Sequence, residues 1–178
     1  MNKLMTQPTI ESLIRDVPDF PKPGIIFKDI TPLLEHAEAF RGAIEQLGQA
    51  VTSHAPEALV AIESRGFIFG APLALHLGLP LVLVRKPGKL PRRTETVAYQ
   101  LEYGEDRLEV HADAVRPGGR YAIVDDVLAT GGTAAAVQTL LTRLGGQVAC
   151  HAFLIELGFL SGRERLGGAA VEALVAYP

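Results

Sequence analysis

Short apolar segments alternate with helix-forming segments along most of this chain. The spacing of apolar residues predicts strands at 58–62, 79–84, 120–125, 147–157 and 171–177, and helices at 36–55, 67–78 and 132–146. Strands that are apolar along their whole length are typical of a parallel sheet with helices on both faces. The sequence therefore predicts an α/β fold that binds ligands at the carboxyl ends of its strands.

Further segments interrupt this alternation. Residues 9–17 fit a short helix, and the proline-rich residues 19–34 fit a structured loop. Residues 85–96 are basic and rich in proline, whereas 97–111 fit two antiparallel strands around Gly104. We therefore expect an antiparallel hairpin in this part of the chain.

The composition limits the class of protein. A chain of 178 residues suits one domain with a single core. A formal net charge of −3 disfavours a globally basic nucleic-acid binder. No apolar stretch reaches the ~18 residues of a membrane span, and the N terminus lacks the apolar core of a signal peptide. The single cysteine, Cys150, excludes an internal disulfide framework, so a cytoplasmic protein without membrane or nucleic-acid partners is predicted.

Two adjacent carboxylates, Asp125 and Asp126, lie at the end of the predicted strand 120–125, in the stretch YAIVDDVLATGGTAAAV. Glycines in the turn 128–133 let the backbone approach a ligand, and the N–H groups at the start of the next helix favour a phosphate. Ionised Asp125 and Asp126 accept hydrogen bonds only, which suits the hydroxyls of a ribose. The combination predicts a site for a ribose 5-phosphate.

Acidic residues at the end of an apolar strand also occur in P-loop NTPases. Those proteins require a G-x-x-x-x-G-K-[ST] segment, which does not occur in this sequence. A chance pair of aspartates at an ordinary strand–turn–helix junction accounts for the carboxylates but not for the glycine-rich turn beside them. The ribose 5-phosphate site therefore remains the better interpretation of this stretch.

Residues 124–133, VDDVLATGGT, resemble the phosphoribosyl-pyrophosphate (PRPP) signature of the type I phosphoribosyltransferases. Further segments resemble the adenine-specific branch of that family, the adenine phosphoribosyltransferases: 19–34, 63–74, 85–91, 101–111 and 155–166. The resemblance covers nearly the whole chain. It implies a purine-salvage enzyme that transfers the 5-phosphoribosyl group of PRPP to N9 of adenine, giving AMP and pyrophosphate.

The same resemblance implies an architecture. It is the type I phosphoribosyltransferase fold, a parallel β-sheet core flanked by helices with a small hood and a flexible hairpin lid. A single domain would span 1–178, with the hood formed by about 1–35 and the C-terminal segment and the lid by about 86–110. The family further implies a homodimer.

The resemblance also assigns the PRPP-binding residues. Asp125 and Asp126 would hold the ribose hydroxyls. The 5′-phosphate would lie on the turn formed by Ala129, Thr130, Gly131, Gly132 and Thr133. Pyrophosphate would be bound by Ser64, Arg65, Arg85, Lys86 and Lys89, with Arg65 also counted as catalytic. We expect a non-proline cis peptide at Ser64–Arg65.

The basic segment 85–93 also fits a solubilising surface loop or a weak nucleic-acid patch. No aromatic residue interrupts its cluster of charges, so base stacking gains no support. Arg92 and Arg93 receive no role.

Adenine would stack on Phe27, with the backbone groups of Ile26 and Lys28 pairing with its edge and Leu157 closing the other side. Without the resemblance, 25–27 would fit a core segment equally well. Glu102 is the predicted acid–base residue, because a carboxylate that accepts the N7 proton of adenine leaves a lone pair on N9. Tyr103 would move with the lid.

Mg²⁺ is implied as well, bound mainly through PRPP because a hard cation suits phosphate and diol oxygens. No dedicated protein metal site is predicted.

Two alternative functions remain at this point. Another base, such as hypoxanthine, guanine, xanthine or orotate, would keep the chemistry, whereas a non-catalytic PRPP-binding regulator would not.

Overall fold

A computed structural model of the protein describes residues 8–100 and 105–178. The chain divides into two compact units, Met1–Glu45 and Gln46–Pro178. The strands are β1 Arg15–Pro18, β2 Ile26–Asp29, β3 Ala58–Ile62, β4 Leu81–Val84, β5 Thr94–Gln100, β6 Glu105–His111, β7 Arg120–Leu128, β8 Gln147–Leu157 and β9 Val171–Tyr177. The α-helices are α1 Thr31–Glu35, α2 Ala37–Thr52, α3 Gly66–Leu77 and α4 Gly132–Arg143, and 3₁₀ helices cover Glu11–Leu13, Gly158–Leu160 and Gly162–Leu166.

The first unit corrects two predictions from the sequence. The helix predicted at 9–17 is only a 3₁₀ turn followed by β1, and the loop predicted at 19–34 contains β2 and most of α1. β1 pairs antiparallel with β2, from Arg15 opposite Asp29 to Pro18 opposite Ile26. Backbone pairing with a segment eight or more residues away therefore outweighs local helical spacing, which is common for short elements.

The second unit is built on a parallel sheet. Within residues 8–100 and 105–178, five strands form this sheet in the order β4-β3-β7-β8-β9, and every neighbouring pair is parallel. This confirms the predicted parallel core. The strand order places the carboxyl ends of β3, β4 and β7 side by side, as the sequence predicts for the ligand-binding edge.

Helices α3 and α4 cover opposite faces of the parallel sheet. Alternate residues of β3, namely Ala58, Val60 and Ile62, pack in a buried cluster with Val137, Leu140 and Leu141 of α4. Ala61 points to the other face, towards Gly70 of α3. A Cβ built on Gly70 would lie 2.5 Å from the Cβ of Ala61. Since successive strand residues face opposite sides, this alternation fixes the two layers.

The predicted hairpin is present as β5 and β6, which pair antiparallel from Thr94 opposite His111 to Gln100 opposite Glu105. Arg85, just after β4, exchanges backbone hydrogen bonds of 2.9 and 2.7 Å with Glu109 of β6. Val97 and Leu108 join the buried cluster under α4. The hairpin is therefore packed onto the sheet unit at its base.

Strand β7 is longer than predicted. It continues from Arg120 to Leu128, because β8 is long enough to pair with it as far as Leu128 opposite Glu156. Asp126, predicted to follow the strand, consequently lies within it, and Asp125 is no longer its last residue. Their side chains leave opposite sides of the strand.

Within the described residues, none of the helices combines the length and the apolar character that a membrane crossing requires. Cys150 is buried in β8, as predicted, and burial raises the pKa of its thiol to about 12. The thiol is therefore inert as a nucleophile at neutral pH.

Candidate active site

Arg65 and Asp126 meet at the carboxyl edge of the sheet. Arg65 follows β3 and directly precedes α3, while Asp126 belongs to the neighbouring strand β7. The Nε atom of Arg65 lies 2.8 Å from Oδ2 of Asp126, whose side chain is only 3% exposed. The Arg65 side chain is 42% exposed and thus remains accessible to a ligand.

The adjacent carboxylates influence each other's protonation. Burial, followed by the nearby charge of Asp126, raises the pKa of Asp125 well above its usual value. Burial also raises the pKa of Asp126, although the Arg65 guanidinium opposes that shift. The pair is thus short of positive charge and hydrogen-bond donors, and a ligand that brings either would favour its ionised form.

The start of α3 presses against the same carboxylates. A Cβ built on Gly66 would lie 2.8 Å from the carbonyl oxygen of Val124 and 3.0 Å from Oδ1 of Asp125. Only glycine lets the helix begin so close to β7. Gly66 was not among the residues predicted from the sequence, although it lies in the segment 63–74.

The turn between β7 and α4 borders a cavity of about 230 Å³. Gly131 has φ +78° and occupies the N-cap of α4, where it has no side chain to accept from the first helical turn. The N–H groups of that turn are therefore left for another acceptor, as at many anion sites. The residues lining this cavity are Arg65, Asp125, Asp126, Val127, Leu128, Ala129, Thr130, Gly131, Gly132, Thr133, Ala134 and Phe153.

A second cavity of about 280 Å³ shares part of this lining. Its walls are formed by Glu63, Ser64, Arg65, Lys86, Tyr99, Leu108, Asp125, Asp126 and Thr133. Arg65, Asp125, Asp126 and Thr133 border both cavities. The two spaces are therefore neighbours, one dominated by backbone amides and the other by charged side chains.

Glu63 organises the cationic side of the second cavity. Arg85 grips its carboxylate through Nε and a terminal nitrogen, each at 3.2 Å, and the Lys86 amide donates to Oε2 at 2.9 Å. Burial opposes the charge of Glu63, but these hydrogen bonds outweigh it and lower the pKa of the carboxyl. Glu63 is therefore an anion that fixes both basic residues.

The hairpin contributes two polar residues to the same region. The ammonium of Lys86 forms an ion pair with the Asp106 carboxylate, to which the Tyr99 hydroxyl donates at 3.2 Å. The hydrogen bond from Lys86 lowers the pKa of Asp106. Burial raises the pKa of the Tyr99 hydroxyl, so it stays protonated at neutral pH.

Comparison with known proteins decides the family. The model of the phosphoribosyl transferase domain matches residues 28–163. The chain is 55% identical over 167 residues to the adenine phosphoribosyltransferase of Desulfitobacterium hafniense, covering 94% of this chain and 96% of that protein. It is 54% identical over 173 residues to the enzyme of that name from Chloroflexus aurantiacus, covering 97% and 100% of the two chains. The chain belongs to the adenine phosphoribosyltransferase family.

Solved structures of adenine phosphoribosyltransferases share the fold. The crystal structure of the Thermoanaerobacter pseudethanolicus protein superposes with a TM-score of 0.92 at 52% identity, over 94% of this chain and 98% of that one. The Saccharomyces cerevisiae protein, solved with adenine and an imino-altritol bisphosphate, gives a TM-score of 0.87 at 38% identity, with coverages of 93% and 96%. The fold predicted from the sequence is thus confirmed as that of an adenine phosphoribosyltransferase.

The residues predicted to bind the ribose 5-phosphate come together in space. All of them line the first cavity, and Ser64, Arg65 and Lys86 line the second. Neither cavity, as far as the described residues define them, is lined by Arg85 or Lys89. The Arg85 guanidinium donates hydrogen bonds to the Glu63 carboxylate. It also donates to the backbone carbonyl of Lys89 at 3.1 Å, and Lys89 itself is exposed.

The expected cis peptide is displaced by one bond. It lies at Glu63–Ser64 and not at Ser64–Arg65. The motif locates the loop but does not determine which of its bonds adopts the cis form.

The predicted base-binding residues are not among those that line the two cavities. Ile26, Phe27 and Lys28 belong to β2 of the first unit, where the Phe27 ring packs edge-on against Phe20 at 5.2 Å. Leu157 is the last residue of β8. Glu102 and Tyr103 lie outside the described residues.

Glu63, Tyr99 and Asp106 were not predicted from the sequence as site residues. The sequence could have indicated Glu63, since it is the first residue of the segment ESRGF at 63–67. No sequence pattern indicates Tyr99 or Asp106, because their contacts with Lys86 depend on how the hairpin packs. Within the described parts of the chain, no group of three or more His, Cys, Asp or Glu side chains is placed to hold a metal ion.

Proposed function

We propose that this enzyme transfers the 5-phosphoribosyl group of PRPP to N9 of adenine, giving AMP and pyrophosphate. One observation carries the proposal: an amide-rich cavity and a cation-bearing cavity adjoin each other across Arg65, Asp125 and Asp126. PRPP has a matching arrangement, because its ribose carries a phosphate on one side and a pyrophosphate on the other. The phosphate suits the amide-rich cavity and the pyrophosphate suits the cation-bearing cavity.

The first cavity supports binding of the ribose 5-phosphate. Backbone amides from 129–133 and the N terminus of α4 offer donors to the phosphate oxygens. The ribose hydroxyls donate to Asp125 and Asp126, whose raised pKa values indicate carboxylates that gain from added donors. PRPP therefore stabilises the charged form of the pair that binds it.

The second cavity supports binding of pyrophosphate. Arg65 and Lys86 line it and supply positive charge, and Ser64 supplies a hydroxyl. Arg85 acts one step away, since it holds Glu63 and thereby the backbone of Lys86. Neutralising the leaving pyrophosphate is the largest contribution these residues make, because charge develops there as the bond to C1′ breaks.

The residues present fit Mg²⁺. The second cavity offers carboxylate oxygens from Asp125 and Asp126, and the raised pKa values of this pair show that nearby positive charge would favour their ionised forms. PRPP would supply most of the ligands, and the ion would add to the neutralisation of the pyrophosphate.

The base-binding residues enter the proposal through the family resemblance. Phe27 would stack on adenine, backbone groups of Ile26 and Lys28 would pair with its edge, and Leu157 would contact the ring. Glu102 would accept the N7 proton. Replacing Glu102 with Gln should lower kcat, and an unchanged kcat would remove Glu102 from the chemistry.

The proposal is tested by following the loss of free adenine with PRPP, with and without Mg²⁺. Formation of AMP only when PRPP and Mg²⁺ are both present supports it. Parallel reactions with hypoxanthine, guanine, xanthine and orotate test the choice of base, and faster turnover of any of these would overturn the assignment to adenine. Binding of PRPP without turnover of any base would instead favour a regulator.

A homodimer is part of the same proposal. Helix α3 is apolar around most of its circumference, and Leu75 on its outer side is 86% exposed. A helix that is apolar around most of its circumference is normally buried on more than one side, which favours a second protein surface over this helix. Light scattering at assay concentration tests this, and a mass of one chain would contradict the dimer.

We also propose a cytoplasmic location, consistent with a single buried thiol.

A further inference from the structure

The turn 129–133, which binds phosphate in the proposed function, contacts a segment that is distant in sequence. Gly131 in that turn and Gly162, the first residue of the C-terminal 3₁₀ helix Gly162–Leu166, are both buried. A Cβ built on Gly131 would lie 2.3 Å from the carbonyl oxygen of Gly162. One built on Gly162 would lie 2.2 Å from the carbonyl oxygen of Ala129. The two backbones therefore touch directly.

These contacts leave no room for a side chain. Both obstructing atoms are backbone oxygens, which cannot swing aside as a flexible side chain can. A Cβ on Gly162 would also approach Leu128 Cδ1 at 3.0 Å. Any substitution at Gly162 must therefore displace either the 3₁₀ helix or the phosphate turn.

A small core holds the two segments in place beneath this contact. Leu128 precedes the phosphate turn and Ala134 follows it, and both pack with Phe153 and Leu166 in one buried cluster. Leu166, which ends the 3₁₀ helix, is fully buried. Because the ends of the turn and the end of the 3₁₀ helix share one core, a shift of one is transmitted to the other.

A bidentate ion pair fixes the 3₁₀ helix from its other side. Arg163 donates to both oxygens of Glu156 at 2.6 and 2.7 Å, and its remaining terminal nitrogen donates to the carbonyl of Val171 at 2.9 Å. Glu156 lies in β8 and Val171 in β9. The planar fork of arginine thus ties the residue after Gly162 to two strands at once.

We infer that Gly162 is a positioning residue for the 5′-phosphate: it allows the C-terminal 3₁₀ helix to set the backbone of the phosphate turn. The inference rests on the proposed function, because it presumes that 129–133 bind this phosphate. It predicts that damage at Gly162 affects ligands that carry the 5′-phosphate and spares pyrophosphate. Among the described residues, the pyrophosphate cavity is lined by Thr133 but not by 129–132, whereas the first cavity is lined by the whole turn.

The test compares Gly162→Ala with the unchanged protein by titration calorimetry, using AMP and, separately, pyrophosphate with Mg²⁺. We expect AMP to bind about 10- to 100-fold more weakly, since displacements near 1 Å can have effects of that size. The affinity for pyrophosphate should stay within about twofold, and KM for PRPP should rise more than KM for adenine. Gly167→Asn is the matched control, because Gly167 is exposed, has φ +61° and meets nothing within 4 Å, and asparagine tolerates that backbone.

Arg163→Lys provides a second, milder variant should Gly162→Ala not fold. Lysine keeps the charge but loses the fork, so we expect a smaller loss of AMP affinity with pyrophosphate again spared. Equal loss for both ligands in the folded variants, or unchanged AMP affinity, would overturn the inference. Failure of the unchanged protein to bind AMP or PRPP would instead overturn the proposed function.

Discussion

The Nε atom of Arg65 lies 2.8 Å from Oδ2 of Asp126. The positive charge of this guanidinium lowers the pKa of both Asp125 and Asp126. Burial still dominates, so the pKa values of Asp125 and Asp126 remain raised. The site thus holds two carboxylates whose charges disfavour folding until a ligand supplies more donors. A site prepared for a ligand often carries such a cost.

Asp125→Asn should stabilise the ligand-free protein and abolish most activity. A carboxyl whose folded pKa is raised destabilises the fold above its unfolded pKa of 3.8, and the penalty disappears as pH falls below that value. We therefore expect a higher Tm at pH 8, with a gain of ~1 kcal/mol giving about 2–4 °C, and a smaller gain near pH 4. Thermal melts followed by circular dichroism measure both.

The control for this variant is Asp113→Asn. Asp113 is 64% exposed and pairs with exposed Arg92, so its removal should hardly change Tm or activity. A lower Tm for Asp125→Asn at pH 8 would contradict the expected cost of the buried charge.

Protonation of His151 should destabilise the protein in mild acid. The residue is fully buried, and burial lowers its pKa from 6.5 to about 4. In that window the unfolded chain binds the proton and the folded chain does not, so stability falls as pH falls through 6.5 towards 4. This group should account for a loss of about 2 kcal/mol between pH 7.5 and 5, measured by urea unfolding.

His151→Gln isolates this effect from the titration of other groups. The glutamine keeps a polar end near Gln138, whose Oε1 lies 2.8 Å from His151 Nε2, but it cannot ionise. Its stability should depend less on pH over the same range. The same pH dependence in both proteins would show that His151 is not responsible, and His76→Gln, at an exposed position, should behave as the parent.

Asp106→Asn should tighten the binding of pyrophosphate. Asp106 forms an ion pair with Lys86, whose pKa is raised because that pairing outweighs the opposing effect of burial. An incoming pyrophosphate must compete with this internal carboxylate. Removing the charge should lower the dissociation constant about three- to tenfold, since partly exposed ion pairs contribute about 1 kcal/mol.

Titration calorimetry with pyrophosphate and Mg²⁺ measures that change. Lys86→Met should act in the opposite direction and weaken binding. An Asp106→Asn variant that binds pyrophosphate less tightly would indicate that Asp106 positions Lys86 for the ligand and does not compete with it.

Gly70→Ala should destabilise the sheet unit by about 1–3 kcal/mol. The new Cβ would lie 2.5 Å from the Cβ of Ala61, so α3 must move away from β3. Gly42→Ala is the matched control, because it also lies in a helix and its Cβ would meet nothing within 4 Å. It should stabilise by about 0.5–1 kcal/mol. Urea unfolding of both variants at one pH measures the contrast, and equal effects would show that the contact with Ala61 does not limit packing.

The sequence by itself determined the parallel sheet, its covering helices and the phosphate turn. Each depends on residues close together in the chain, such as the apolar run of β3 or the glycines of 128–133, whose local backbone preferences suffice. It also predicted ligand binding at the carboxyl ends of the parallel strands, which is the edge where Arg65, Asp125 and Asp126 lie.

Only the tertiary structure decided which charges pair. The grip of Arg85 on Glu63, the contact of Lys86 with Asp106 and the meeting of Gly162 with Ala129 join residues 20 or more positions apart. The pairing of β1 with β2 likewise replaced a predicted helix. Such contacts are chosen by the packing of whole elements, and no local pattern in the sequence records them.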